Sequence, residues 1–105
     1  MSQKTIMLIC SAGMSTSLLV SKMQKAAEER GLALDIFAIS SAAFEEEIAS
    51  RKIDVILLGP QVKYMRQQLA ERVSGENIPV DVIPMVDYGT MNGAKVLDLA
   101  LTLMA

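Results

Sequence analysis

Four times along 105 residues a short apolar run gives way to a stretch whose apolar residues recur at three- and four-residue spacing. The runs are residues 6–9, 34–39, 53–58 and 80–83. Leu19, Val20, Met23 and Ala27 mark a first helix, which Gly31 should close in the left-handed conformation. Ser40, Ser41 and Ala42 open a short second helix that reaches Ile48. Val62, Met65, Leu69 and Val73 mark a third, and Ala94, Leu97, Leu101 and Met104 a terminal one after a connection containing Pro84, Tyr88 and Gly89. Such an alternation leaves few folds open, because parallel strands need long crossovers and helices serve that purpose. It predicts the α/β class: a single open four-stranded parallel sheet with helices on both faces, forming one domain over residues 1–105.

Strand order follows from polarity. The first and third runs are the most continuously apolar, as inner strands covered on both faces should be, whereas Asp35 and Asp81 interrupt the second and fourth. The expected order is 2-1-3-4. Right-handed crossovers then make the chain change direction beside the first strand, and ligands of such sheets bind outside the carboxyl ends of the strands at that point. Cys10 falls there, with Gly59-Pro60 at the end of the neighbouring strand.

Residues 10–17 read Cys-Ser-Ala-Gly-Met-Ser-Thr-Ser. The first amides of a helix lack partners within it, and its dipole places partial positive charge there, so Ser11, Ala12, Gly13, Met14, Ser15, Thr16 and Ser17 can form a loop that holds a phosphate-like dianion. The same field favours the nucleophilic thiolate of Cys10. Gly13 permits close backbone approach, and the hydroxyls of Ser15, Thr16 and Ser17 can cap the helix or donate to a ligand. Taken alone, the pattern is equally that of a small buried cysteine followed by a helix cap. The run Glu45, Glu46, Glu47 lies at the start of the second helix, where it reads as a solvated face favoured by the dipole.

Composition excludes several functions. Ten Lys+Arg against twelve Asp+Glu give a formal net charge of −2 with no basic excess, so nucleic acid is not an expected partner. One cysteine cannot form an internal disulfide, and the absence of histidine removes the usual zinc ligand sets and any Cys–His catalytic pair. No metal and no cofactor are expected. No apolar stretch has the length of a membrane span, and the protein is expected to be cytoplasmic.

The cysteine and its loop resemble those of the low-molecular-weight tyrosine phosphatases, whose loop runs Cys, five residues, Arg. Here the last position is Thr16, and the bidentate guanidinium that stabilises the transferring phosphoryl group is missing. No Asp-Pro pair is present to supply that family's general acid. A closer resemblance is to the IIB components of the lactose/cellobiose (N,N′-diacetylchitobiose) type in the bacterial phosphoenolpyruvate-dependent sugar phosphotransferase system. It rests on residues 10–20, CSAGMSTSLLV, on residues 55–62, VILLGPQV, on Tyr64-Met65 and on Tyr88-Gly89, and extends over essentially the whole chain.

That resemblance implies a fold like the phosphatases' and a phosphoryl carrier. Cys10 would accept a phosphoryl group from a phosphohistidine of a IIA protein and pass it to a sugar held by the membrane component IIC, with transient association at the inner face of the membrane. The sugar would be a β-linked disaccharide such as cellobiose or diacetylchitobiose, with lactose also open. Two partners must reach one loop, so Met14, Leu18, Pro60, Tyr64 and Tyr88 are candidates for an exposed, moderately apolar rim, and the isolated domain is expected to be monomeric. The alternatives are a thiol-dependent phosphatase or arsenate-reductase-like enzyme on the same scaffold, the latter normally needing further cysteines, and a noncatalytic anion-binding module.

Overall fold

The structure is a computed structural model and describes residues 3–10 and 14–105, with the backbone alone at 14 and 15. The strands are β1 (Lys4–Cys10), β2 (Leu34–Ser40), β3 (Val55–Leu58) and β4 (Val80–Val82). The helices are α1 (Met14–Glu29), α2 (Phe44–Ser50), α3 (Arg66–Arg72), α4 (Met85–Gly89) and α5 (Gly93–Met104), with 3-10 turns at Ser41–Ala43, Pro60–Met65 and Ser74–Glu76. The sheet is parallel throughout and ordered β2-β1-β3-β4, as the apolar pattern requires.

β1 is inner because nothing in residues 6–9 objects to burial. Ile6 and Leu8 project into one core with Leu19 and Met23 of α1 and Val96, Leu97 and Ala100 of α5. Met7 and Ile9 project the other way, into a core with Phe44 and Ile48 of α2 and Leu69 of α3. Each fully buried aliphatic side chain of this kind contributes roughly 1.5–3 kcal/mol relative to exposure. The interrupting aspartates lie on edge strands, where charge can reach water. Asp35 meets Arg51 at 3.4 Å, and the Arg51 guanidinium sits 4.2 Å from the Phe37 ring centroid. Asp81 meets Arg66 at 3.5 Å.

Helix α1 ends as its glycine predicts. Gly31 has φ 69°, its N–H donates to the Glu28 carbonyl at 3.0 Å, and Leu32 N–H donates to the Ala27 carbonyl at 2.9 Å, the paired bonds of a Schellman motif.

Several boundaries differ from expectation. Ile53 is buried but precedes β3, because Asp54 turns aside to β1: its carboxylate accepts the Thr5 N–H at 2.8 Å and its own N–H donates to the Thr5 carbonyl at 3.0 Å. The second and third helical segments each begin as a 3-10 turn, and non-helical Val62 (φ −119°, ψ 23°) interrupts the latter. The connection after β4 contains α4, closed by Tyr88 N–H to the Pro84 carbonyl at 3.0 Å and Thr90 N–H to the Val86 carbonyl at 3.0 Å. On α5 the buried face is Gly93, Val96, Leu97 and Ala100, with Ala94 exposed and Leu101 and Met104 at its margin. The shift comes from Gly93, which packs against α1 so closely that a Cβ there would lie 2.5 Å from the Lys22 carbonyl carbon.

Candidate functional site

The parallel register brings the carboxyl ends of β1, β2 and β3 together, Cys10 opposite Ser40 and Ile9 opposite Leu58. Cys10 is therefore the last residue of an inner strand, four positions before α1 begins. Its side chain is 4% exposed, and the thiol donates to the Ile39 carbonyl of β2 at 3.7 Å. Ser11, Ala12 and Gly13 lie outside the described residues, as do the side chains of Met14 and Ser15. The backbone of residues 14–17, expected as loop, is already the first turn of α1. Amides in that turn are the ones an α-helix leaves without internal acceptors, and the helix dipole places partial positive charge there.

Thr16 does not offer its hydroxyl to the open end of the sheet. It is 1% exposed, and its Oγ1 lies 3.1 Å from the Tyr88 hydroxyl in a buried hydrogen bond. Tyr88 was expected at an exposed rim and is instead 8% exposed. The cause is α4, which turns Tyr88 inward toward α1 and the end of β3. There Gly59 donates its N–H to the Ile9 carbonyl at 2.9 Å, and a Cβ on Gly59 would stand 3.7 Å from Tyr88 Cε1.

The same turn leaves Met85 and Val86 outside, 68% and 74% exposed. Neither was singled out from the sequence, although two apolar residues between Pro84 and Asp87 that no strand or helix period claims are a readable signal. Leu18 and Tyr64 are exposed at 51% and 78%, and Pro60 is half-buried. Met65 is half-buried and packs against the second core.

Away from Cys10, the glutamate run is only partly a solvated face. Arg72 donates Nε–H to both oxygens of Glu45, at 3.0 and 3.1 Å, and its Nη2 lies 2.8 Å from Oε1. That hydrogen bond, with the attraction of Glu45 behind it, raises the guanidinium further above its already high ordinary value. Glu47 meets Arg51 at 3.2 Å, while Glu46 stays exposed. Between α2 and α3 runs an open groove of about 470 Å³ floored by Phe44, Met65 and Leu69. Among the described residues no three His, Cys, Asp or Glu side chains are grouped to hold a metal ion, and no helix is long and apolar enough to cross a membrane.

A parallel sheet ordered 2-1-3-4, with a cysteine ending its inner first strand, defines the α/β class typified by the low-molecular-weight phosphatases. Within that class the chain belongs to the lactose/cellobiose IIB family of the phosphotransferase system, since the family described as "PTS system, Lactose/Cellobiose specific IIB subunit" matches residues 5–99. It is 53% identical to the galactose-specific EIIB component of Lactococcus lactis subsp. cremoris (strain MG1363) and 52% identical to the cellobiose-specific EIIB component of Lactococcus lactis subsp. lactis (strain IL1403), over 99% of each chain in both cases. The solution structure of the cellobiose-specific phosphotransferase IIB component from Borrelia burgdorferi is similar, with TM-score 0.78 and 39% identity, over 98% of this chain and 93% of that one. The protein is thus a phosphotransferase component of a sugar-uptake system.

Proposed function

We propose that Cys10 carries the phosphoryl group, taking it from a phosphohistidine of a IIA protein and passing it to a sugar held by the membrane component IIC. The observation that carries this reading is the position of the chain's one cysteine, at the carboxyl end of an inner strand just before a helix start, in a chain with no histidine that could serve instead. In the first step the thiolate sulfur attacks phosphorus, an S–P bond forms, the P–N bond to the donor imidazole breaks, and that nitrogen takes up a proton. In the second, a sugar hydroxyl oxygen attacks the same phosphorus, the S–P bond breaks, the thiolate is restored and the hydroxyl proton is released. Loss of the thiol proton removes the S–H···O contact with the Ile39 carbonyl and leaves Sγ without that tie to β2. The amides of residues 11–17 and the dipole of α1 would surround the phosphoryl oxygens.

The partners meet this end of the sheet at Leu18, Pro60 and Tyr64, with Met14 kept as a candidate from the sequence and with Met85 and Val86 added. We assign a β-linked disaccharide such as cellobiose or diacetylchitobiose as the sugar, in keeping with the family's specificity, and a working place at the inner face of the membrane.

Incubation with phosphorylated IIA followed by intact-mass measurement tests the proposal. One stable phosphoryl group on the protein, lost in Cys10→Ser, is expected, because the hydroxyl is a far poorer nucleophile at neutral pH. Rapid release of inorganic phosphate would mean a hydrolase, and no adduct would mean a binding module.

A further inference from the structure

We infer that Tyr88 is a positioning residue for phosphoryl transfer, its hydroxyl fixing the first turn of α1 through Thr16. The inference rests on the reading of Cys10 just given. Thr16 lies six positions after Cys10, in the first turn of α1, which the proposed function sets around the phosphoryl oxygens, and its hydroxyl is bonded at 3.1 Å to a residue 72 positions further on. Both side chains are buried, so neither hydroxyl is there to meet solvent.

Tyr88 is itself held on several sides. Its N–H donates to the Pro84 carbonyl at 3.0 Å, its carbonyl accepts from Met91 N–H at 3.1 Å, and its ring stands beside Gly59, which is bonded to Ile9 next to Cys10. Tyr88 therefore holds the helix start through its hydroxyl while its ring adjoins the ends of β1 and β3. A phenylalanine would fill the same space and pack the same ring. What it would lose is the bond, leaving the Thr16 hydroxyl buried without this partner and the helix start free to shift against the sulfur. Positional errors of about 1 Å in a reacting array cost up to a hundredfold in rate. The hydroxyl acts on geometry, so its removal should lower the maximal rate and leave recognition of the partner alone.

The test follows phosphorylation of the purified protein by phosphorylated IIA, as a function of IIA concentration, in Tyr88→Phe, Thr16→Val, Thr16→Ser and their combinations. The expected result is a fall in kcat on the order of tenfold for Tyr88→Phe and for Thr16→Val, KM unchanged, and no further fall in the double variant, because the two report one bond. Thr16→Ser should keep a rate that still falls when Tyr88→Phe is added. Thr16→Val probes the same bond should Tyr88→Phe fold poorly. An undiminished kcat in Tyr88→Phe, losses that multiply in the double variant, or an effect on KM alone would each overturn the inference. A shift of the urea midpoint with unchanged kcat would do so as well, assigning the bond to stability only. Cys10→Ser is assayed alongside: if it still accepts a phosphoryl group the reading of Cys10 falls, whereas an inert Cys10→Ser beside a fully active Tyr88→Phe sinks the inference and spares that reading.

Discussion

Gly31 and Tyr88 mark the two extremes of what single residues disclose. Gly31 follows the last apolar position of a helical period, and a glycine there has one common use, to take the left-handed conformation that lets the chain leave the helix. Its φ of 69° bears this out. Nothing lies within 4 Å of a Cβ placed there, so Gly31→Ala should cost only the backbone strain, about 1 kcal/mol, seen as a fall of several degrees in Tm with the rate of phosphoryl transfer unchanged. Tyr88 was a rim candidate because two partners must reach the loop after Cys10 and the connection that holds it follows a strand end. Its burial depends on a five-residue helix that no periodicity announces and on a hydroxyl 72 positions away. Thr16, read as standing where phosphatases carry arginine, is likewise explained by its partner, since its side chain is already committed to the interior.

Among the helices, α1 and α5 are tied most closely by a residue that contributes no side chain. Gly93 lets α5 approach until a Cβ would overlap the backbone of Lys22 and Met23, at 2.5 and 2.7 Å. Because the obstacle is backbone, a methyl group cannot be accommodated by rotating a side chain. Gly93→Ala should force the helices apart and cost about 1–3 kcal/mol, measured by urea unfolding. The displaced face of α5 was illegible for the same reason: hydropathy ranks Ala94 above glycine, yet the closest approach belongs to the smaller residue. The 3-10 openings of the second and third helical segments were hidden too, because periodicity over six or seven residues does not separate a 3-10 turn from an α-helix. Order within the sheet was legible throughout, since Asp35 and Asp81 are tolerable only where water can reach them.

All four strands point the same way, so every connection after a carboxyl end emerges on the side of Cys10. Leu18, Tyr64, Met85 and Val86 come from three such connections and remain exposed. Tyr64→Asp should leave the unfolding midpoint unchanged and weaken the encounter with IIA by about 1–3 kcal/mol, roughly 5- to 150-fold in Kd by titration calorimetry. A midpoint that falls while Kd holds would place Tyr64 in the fold instead of the interface. Galactose- and cellobiose-specific relatives are almost equally identical to this chain, so similarity over the whole length does not select a sugar. The parallel arrangement also governs how the chain assembles. β1 pairs with β2 and β3 and with no nearer segment, and β2 begins only at residue 34 and β3 at residue 55. The four wholly buried residues 6–9 are thus synthesised before either strand they pair with and wait, unpaired, until the crossovers that will cover them have been made. Of the four strands, the one that ends on the cysteine is thus the apolar segment left longest without its cover during synthesis.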